Sequence, residues 1–304
     1  MEGPAQAVML CSGWAMRFRS GILIVGGLAI LPAVLFAAGL SFQAVKKEVV
    51  EQRLRSFSRD NAQREAILKK MLTELGCADH LTEEPVERLK QPDLICVLPG
   101  QSNQTIVVGA HFDHVLVGEG VVDNWSGASL LPSLYQGLRT EPRRHTFIFI
   151  AFSGEEKGEL GSQTYVRRMS KDEVARTEAM VNMDTLGLGP TEMWLSHADP
   201  YLAAALRAVA KSLSLPLGVV NVDKVGSSDS EEFARRKIPR ITIHSVTQQT
   251  WPILHSAQDN MKAVHLDDYY DSYRLIEGYL VYLDGALDRA GASGQGSAPG
   301  LRSQ

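Results

Sequence analysis

The chain has 304 residues, 44% hydrophobic and 22% charged, enough apolar material for one large core or two small ones. Its 31 Lys and Arg against 35 Asp and Glu leave a formal charge of -4 and no basic run able to track a phosphate backbone, which argues against nucleic acid as a partner. The three cysteines, Cys11, Cys77 and Cys96, form no CxxC pair, so any metal must be held by oxygen and imidazole.

Residues Gly21 to Phe42 are 22 uncharged residues with Arg17 and Arg19 before them and Lys46 and Lys47 after. That length spans a bilayer. A start at Met16 instead gives a basic n-region, an apolar h-region and a small-residue cleavage site at Ala37-Ala38-Gly39. Both readings export the remainder of the chain, with residues 1–43 as cleavable signal or membrane anchor, the signal being preferred. Basic residues on both flanks leave the positive-inside rule undecided.

From Ala44 to Leu75 the pattern is charged and helical, with Leu68, Met71 and Leu75 at helical spacing, Asp60 or Asn61 as cap and Gly76 as stop. Residues His80 to Val86 and Leu94 to Leu98 read as short strands, and Pro85 and Pro92 place them at an edge. In an exported protein Cys77 and Cys96 are open between a disulfide and two buried thiols. Thr105 to Asp113 is a β-branched strand ending in His111 and Asp113. After a loop through Gly118 and Gly120, a helix is predicted over Ala128 to Leu138, starting near Asp123.

Phe147-Ile-Phe-Ile-Ala-Phe152 is too short for a helix and too uniformly apolar for a half-exposed strand, so it reads as a central parallel strand covered on both faces. Glu155 and Glu156 come next at its carboxyl end, where ligands gather in open α/β sheets, with Gly154 and Gly158 allowing a sharp turn. Met180-Val-Asn-Met-Asp184 is another apolar run closing on an acid, Tyr201 to Leu213 a helix and Pro239 to His244 a strand. Ser228-Asp229 caps a helix through Arg236, Trp251 to Asn260 is a loop, and Leu266 to Leu287 a closing helix. The Gly, Ser and Ala-rich residues 290–304 are expected to be disordered. This alternation of strands and helices is that of an α/β layer fold over residues 44–289.

His111, Asp123, Glu156, Asp184 and His255 each stand after a strand or in a loop able to reach one rim. Two imidazoles and three carboxylates suit zinc, and suffice for two ions if one carboxylate bridges. Glu155 is then placed to take a proton from an attacking water, and Asp113 to accept the second ring N–H of His111.

The segments Ala110-His-Phe-Asp113, Asp123-Asn-x-Ser-Gly127, Gly154-Glu-Glu-x-Gly-x-Leu-Gly-Ser162, Asn182-Met-Asp184, Ser228-Asp229 and His255 resemble the bacterial leucyl aminopeptidase family of two-zinc exopeptidases, which also includes glutaminyl cyclases and glutamate carboxypeptidases. The likeness runs over roughly residues 60–288. It implies a three-layer α/β sandwich with a mixed, mostly parallel central sheet flanked by helices, the phosphorylase/hydrolase-like zinc exopeptidase fold. It further implies one zinc on His111, Asp123 and Asp184, a second on Asp123, Glu156 and His255, Glu155 as general base, and a cis peptide bond between Asp123 and Asn124.

The resemblance implies an exported aminopeptidase acting on peptides with a free N-terminus, with a single-zinc glutaminyl cyclase and a metal-free ectodomain as alternatives. A carboxypeptidase needs an arginine at the site, for which Arg167, Arg168 and Arg235 are candidates. Two departures stand out. Leu254 occupies the position where related aminopeptidases carry an aromatic hydroxyl, which leaves the oxyanion donor unassigned, and Ser228-Asp-Ser-Glu-Glu232 replaces Ser-Asp-His. Glu231 and Glu232 are read as helix-start charges, with an acidic pocket rim as the sharper alternative. Trp125 and Trp251 are candidate pocket walls, while His114, His145, His197, His244 and His265 are read as ordinary surface or core histidines.

Overall fold

The computed structural model describes residues 40–223 and 226–293. Most of the apolar segment 21–42 and the tail from 294 onward therefore lie outside the described residues. Among the described residues eight strands form one sheet: β1 (Leu81–Glu84), β2 (Asp93–Leu98), β3 (Thr105–His111), β4 (Thr146–Phe152), β5 (Thr177–Met183), β6 (Glu192–Ala198), β7 (Gly218–Val219) and β8 (Arg240–His244). Their order is β1-β2-β4-β3-β5-β8-β6-β7. The four strands β4, β3, β5 and β8 pair in parallel at the centre, β1, β2 and β6 join antiparallel, and β7 runs parallel to β6. This is the mixed, mostly parallel sheet expected.

Why the central strands read as continuous apolar runs is plain from their two faces. In β4, Phe147, Phe149 and Ala151 belong to the large core on one side, while Ile150 and Phe152 belong to the smaller core on the other. In β3 the same alternation sends Ile106, Val108 and Ala110 one way and Val107 the other. The large core is roofed by α1 (Lys47–Arg55), α2 (Asn61–Leu72), α4 (Leu131–Leu138), α7 (Pro200–Leu213) and α9 (Leu266–Ser293), with a single turn, α3 (Ser126–Ala128), ahead of α4. Val166 of α5 (Leu160–Arg168) and Phe233 of α8 (Ser230–Arg235) close the smaller core, beside α6 (Lys171–Arg176).

Several expectations are corrected. The helical stretch from Ala44 to Leu75 is two helices: the chain breaks after Arg55, and Asp60 caps α2 by accepting the Gln63 N–H at 3.0 Å. Of these two strands β1 alone is an edge strand; β2 lies between β1 and β4, and Pro92 stands just before its first residue. Cys77 and Cys96 form a disulfide with a Cα separation of 6.1 Å. The helix expected from Ala128 starts at Leu131, and α9 continues past Leu287 to Ser293. Strands β6 and β7 were not legible at all, because β6 is partly exposed, its Leu195 and Ser196 facing solvent and its pairing with β8 irregular.

Candidate active site

All the candidate residues meet at the carboxyl ends of the parallel strands, where an open α/β sheet leaves room for a ligand. His111 is the last residue of β3, Asp184 comes directly after β5, and Glu155 and Glu156 come after β4 through Gly154, whose φ of 72° is left-handed. Asp123 is delivered by the turn Val121–Trp125, and the Asp123–Asn124 peptide is cis. The Asn124 side chain ties that turn to the end of β5: its Oδ1 accepts the Thr185 N–H at 3.1 Å and its Nδ2 donates to the Met183 carbonyl at 2.9 Å. His255 comes from the loop before α9, with φ of 53°.

The distances sort these side chains into two groups sharing Asp123. His111 Nε2 is 3.3 Å from Asp123 Oδ1 and 3.6 Å from Asp184 Oδ1. His255 Nε2 is 3.2 Å from Asp123 Oδ2 and 3.0 Å from Glu156 Oε2. Two ligands bound at about 2.0 Å to a tetrahedral ion stand about 3.3 Å apart, so each group has the spread of donors that could hold one divalent cation. The charge agrees: Asp123, Glu155, Glu156 and Asp184 face two imidazoles, and Glu156 Oε1 is buried without a hydrogen-bond partner among the described residues.

The titration behaviour has the same origin. Burial pushes the Glu155 carboxyl well above its usual range, countered in part by His111 and reinforced by Asp184, Asp229 and Asp123. Burial disfavours a charged His111, but Glu155 and the surrounding carboxylates outweigh it and raise the imidazole well above 6.5. Hydrogen bonds to Asp123 and Glu156 lift His255 to about 10.

Asp113 is not bonded as expected. Its carboxylate Oδ1 lies 3.7 Å from His111 Nδ1, beyond hydrogen-bond reach, and the ring nitrogen pairs with the Asp113 backbone carbonyl at 3.2 Å instead. The carboxylate turns to accept the Glu155 N–H at 3.1 Å, holding the turn that carries both glutamates. Asp229 does not cap α8. It has helical backbone angles, makes no side-chain capping bond and is buried, where desolvation raises it to about 7.

The groups open into a cavity of about 280 Å³ walled by Trp194, Val222, Val246, Trp251 and Leu254. Trp251 therefore serves as a wall, whereas Trp125 is buried and donates its indole N–H to the Leu54 carbonyl at 2.9 Å. His244, read as an ordinary histidine, lines the cavity with both nitrogens engaged: Nε2 with the Val220 carbonyl at 2.9 Å and Nδ1 with the Val246 N–H at 3.0 Å. Burial lowers its pKa to about 4, so it is neutral. None of Arg167, Arg168 and Arg235 lines the cavity; Arg168 pairs with Glu84 and Arg235 with Glu232. Glu231, beside His197, and Glu232 are first-turn residues of α8 outside the cavity wall.

Sequence reading missed three residues that hold the site in shape. Asp93 accepts the Ser153 N–H at 2.7 Å and hydroxyl at 3.0 Å, steadying the approach to Gly154. Asp259 accepts the N–H groups of Val122 and Asp123 at 2.7 and 3.3 Å. Arg64 is wholly buried, and one signal for it existed: Arg64, Leu68 and Leu72 share the i, i+4, i+8 face of α2.

Comparison with known proteins agrees with this geometry. Aminopeptidase YwaD of Bacillus subtilis is 27% identical over 212 residues, 66% of this chain and 44% of the relative. The structure of BSAP, described as a zinc aminopeptidase from Bacillus subtilis, superposes with a TM-score of 0.57 at 24% identity, over 62% of this chain and 49% of that one. A glutaminyl cyclase from an Acidobacteriales bacterium superposes with a TM-score of 0.66 at 16% identity, over 80% of this chain and 96% of that one. The chain spans less than two thirds of the length of the first curated relatives it matches. The model of peptidase family M28 matches residues 93–280, from the start of β2 into α9 and through every residue of the two donor groups, and the chain belongs to that family.

Proposed function

We propose that the protein is a zinc-dependent aminopeptidase that removes the N-terminal residue of peptides, with His111, Asp123 and Asp184 holding one zinc and Asp123, Glu156 and His255 a second. The observation carrying this reading is the pair of donor groups sharing one carboxylate, each with its donor atoms within 4.8 Å of one another. Bound there, zinc supplies Lewis-acid polarisation of the scissile carbonyl and acidifies the attacking water. Glu155 is the general base. Its Oε2, 3.9 Å from His111 Nε2, stands beside the groups without belonging to either, so it accepts the proton of the attacking water and returns it to the leaving amine. Asp113 aims it through its backbone N–H. The neutral His244 and the walls formed by Trp194, Val222, Val246, Trp251 and Leu254 offer no charge to a substrate side chain.

Export belongs to the proposal, and the Cys77–Cys96 disulfide supports it, since such bonds persist in oxidising compartments. Left uncleaved, the N-terminal segment also anchors the chain; among the described residues no helix is long and apolar enough to cross a membrane.

The test separates the two adjacent glutamates. Glu156→Ala is expected to lower zinc per chain together with activity. Glu155→Gln keeps shape but cannot take the proton, so zinc stays while kcat falls roughly 10²- to 10⁴-fold. Mass spectrometry of a peptide library identifies the reaction: loss of one N-terminal residue supports the aminopeptidase, and loss of ammonia from N-terminal glutamine replaces it with the cyclase. Near-normal turnover in Glu155→Gln removes the mechanism, and unchanged zinc in Glu156→Ala removes the second site.

A further inference from the structure

Residues 112–123 connect the first imidazole, His111, to the shared carboxylate, Asp123, so groups that hold this loop act on their separation, beside the tie of Asn124 to the end of β5. Arg64 acts on it from one side. It is fully buried, and its guanidinium donates from Nη1 to the Phe112 carbonyl at 2.9 Å and from Nη2 to the carbonyls of Glu119 and Gly120 at 2.6 and 2.8 Å. The remaining Nε donates to the Ser58 carbonyl at 2.6 Å, and the guanidinium carbon lies 5.5 Å from the centre of the Trp125 ring. One planar fork thus grips the residue after His111 and the residues leading to Asp123. Asp259 acts from the other side, accepting the N–H groups of Val122 and Asp123, while its own backbone carbonyl accepts the Glu119 N–H at 2.8 Å. Asp259 stands four residues after His255, so the same clamp links the loop to the second donor group.

Arg64 lies outside residues 93–280, on α2, which supplies no residue to either donor group. We infer that Arg64, with Asp259 opposite it, is a positioning residue that sets the distance between His111 and Asp123 and thereby the affinity of the site for its divalent ion. The inference rests on the metallopeptidase reading above. A guanidinium is required because three carbonyls on two separate stretches of chain must be met at once, and the three donors of a lysine ammonium spread from one point cannot span them. The cation also offsets the carboxylate excess of the site from within the core.

The test is a titration of the metal-free full chain with Co²⁺, followed by the visible absorption of the bound ion and by the melting temperature of the metal-free form. Arg64→Lys is expected to lose roughly 10- to 100-fold in Co²⁺ affinity with a changed absorption band, the usual scale for removing a partner that orients metal ligands. Arg53→Gln is the control: Arg53 lies on the neighbouring helix α1 and donates to Ser133 and Gln136 of α4, so its loss lowers the melting temperature and leaves affinity and spectrum as in wild type. If Arg64→Lys fails to fold, Asp259→Asn, which keeps the shape and removes one acceptor, is read the same way and is expected to lose at least 10-fold. Wild-type affinity and spectrum in the folded variant overturn the inference. A wild-type chain that takes up no Co²⁺ defeats the metallopeptidase reading itself, and the inference with it.

Discussion

Glu277 on α9 is a buried carboxyl outside the active-site cavity, and its burial predicts a pH-dependent effect on folding. It is 1% exposed, and it fits only because α4 carries Gly137 opposite: a Cβ there would stand 1.5 Å from Glu277 Oε1. Among the described residues its Oε2 has no hydrogen-bond partner. Burial raises the group from 4.5 to about 8, with a hydrogen bond from Tyr273 opposing and the Glu141 charge adding. Between those two values the folded chain keeps a proton that the unfolded chain has released, so stability falls as pH rises, by about 1.4 kcal/mol per pH unit. From 4.5 to 7 that amounts to about 3 kcal/mol, on the order of a third of the whole stability of a typical domain. Glu277→Gln keeps the shape and removes the titration. Urea unfolding of the metal-free protein, followed by circular dichroism from pH 4.5 to 8, is expected to show the two proteins nearly equal at pH 4.5 and the variant ahead by about 3 kcal/mol at pH 7. Curves that stay parallel across this range would refute the assignment of a neutral, buried Glu277.

The buried His145 behaves in a related way at the opposite end of β4. Burial alone would lower its pKa, but hydrogen bonds to Asp284 at 3.1 Å and Glu178 at 3.3 Å raise it above 6.5, so the stability it contributes is present below pH 6.5 and lost as pH rises through the raised value. His145→Gln should therefore destabilise most below pH 6.5, with the deficit shrinking at alkaline pH; a deficit independent of pH would contradict this. Replacing Cys77 and Cys96 together by serine opens a cross-link between residues 19 apart and should cost about 3 kcal/mol in urea unfolding, which an unchanged midpoint would rule out.

Much of this protein is written locally. Six apolar residues from Phe147 to Phe152 read best as a strand buried on both faces, and β3 and β5 obey the same rule, so the central sheet and the acids and imidazole at its carboxyl ends could be located before any contact was known. The turn bearing Asp123 and the loop bearing His255 were recognisable by motif, and the distances bring both into the groups expected.

What the chain's own order could not reveal is which polar groups end up inside, because that depends on surfaces supplied by distant segments. Asp113 turns to the Glu155 N–H and leaves His111 to a backbone carbonyl, a choice made by the packing of β4 against β3. Asp229 reads as a helix cap and is instead buried, with helical backbone angles and no side-chain bond to the first N–H groups of α8. β6 reads as nothing because Leu195 and Ser196 face solvent, and it is a strand through the hydrogen bonds that β8 and β7 offer it. Arg64 looks like one more exposed charge on a charged helix. It is buried because three carbonyls from residues 112–120 arrive around it in the fold, and no periodicity in α2 contains those carbonyls. Sequence determines the elements and the donors at their ends; the tertiary structure alone decides the pairing of buried polar groups, because a hydrogen bond out of water is favourable only where a partner from elsewhere in the chain is already waiting.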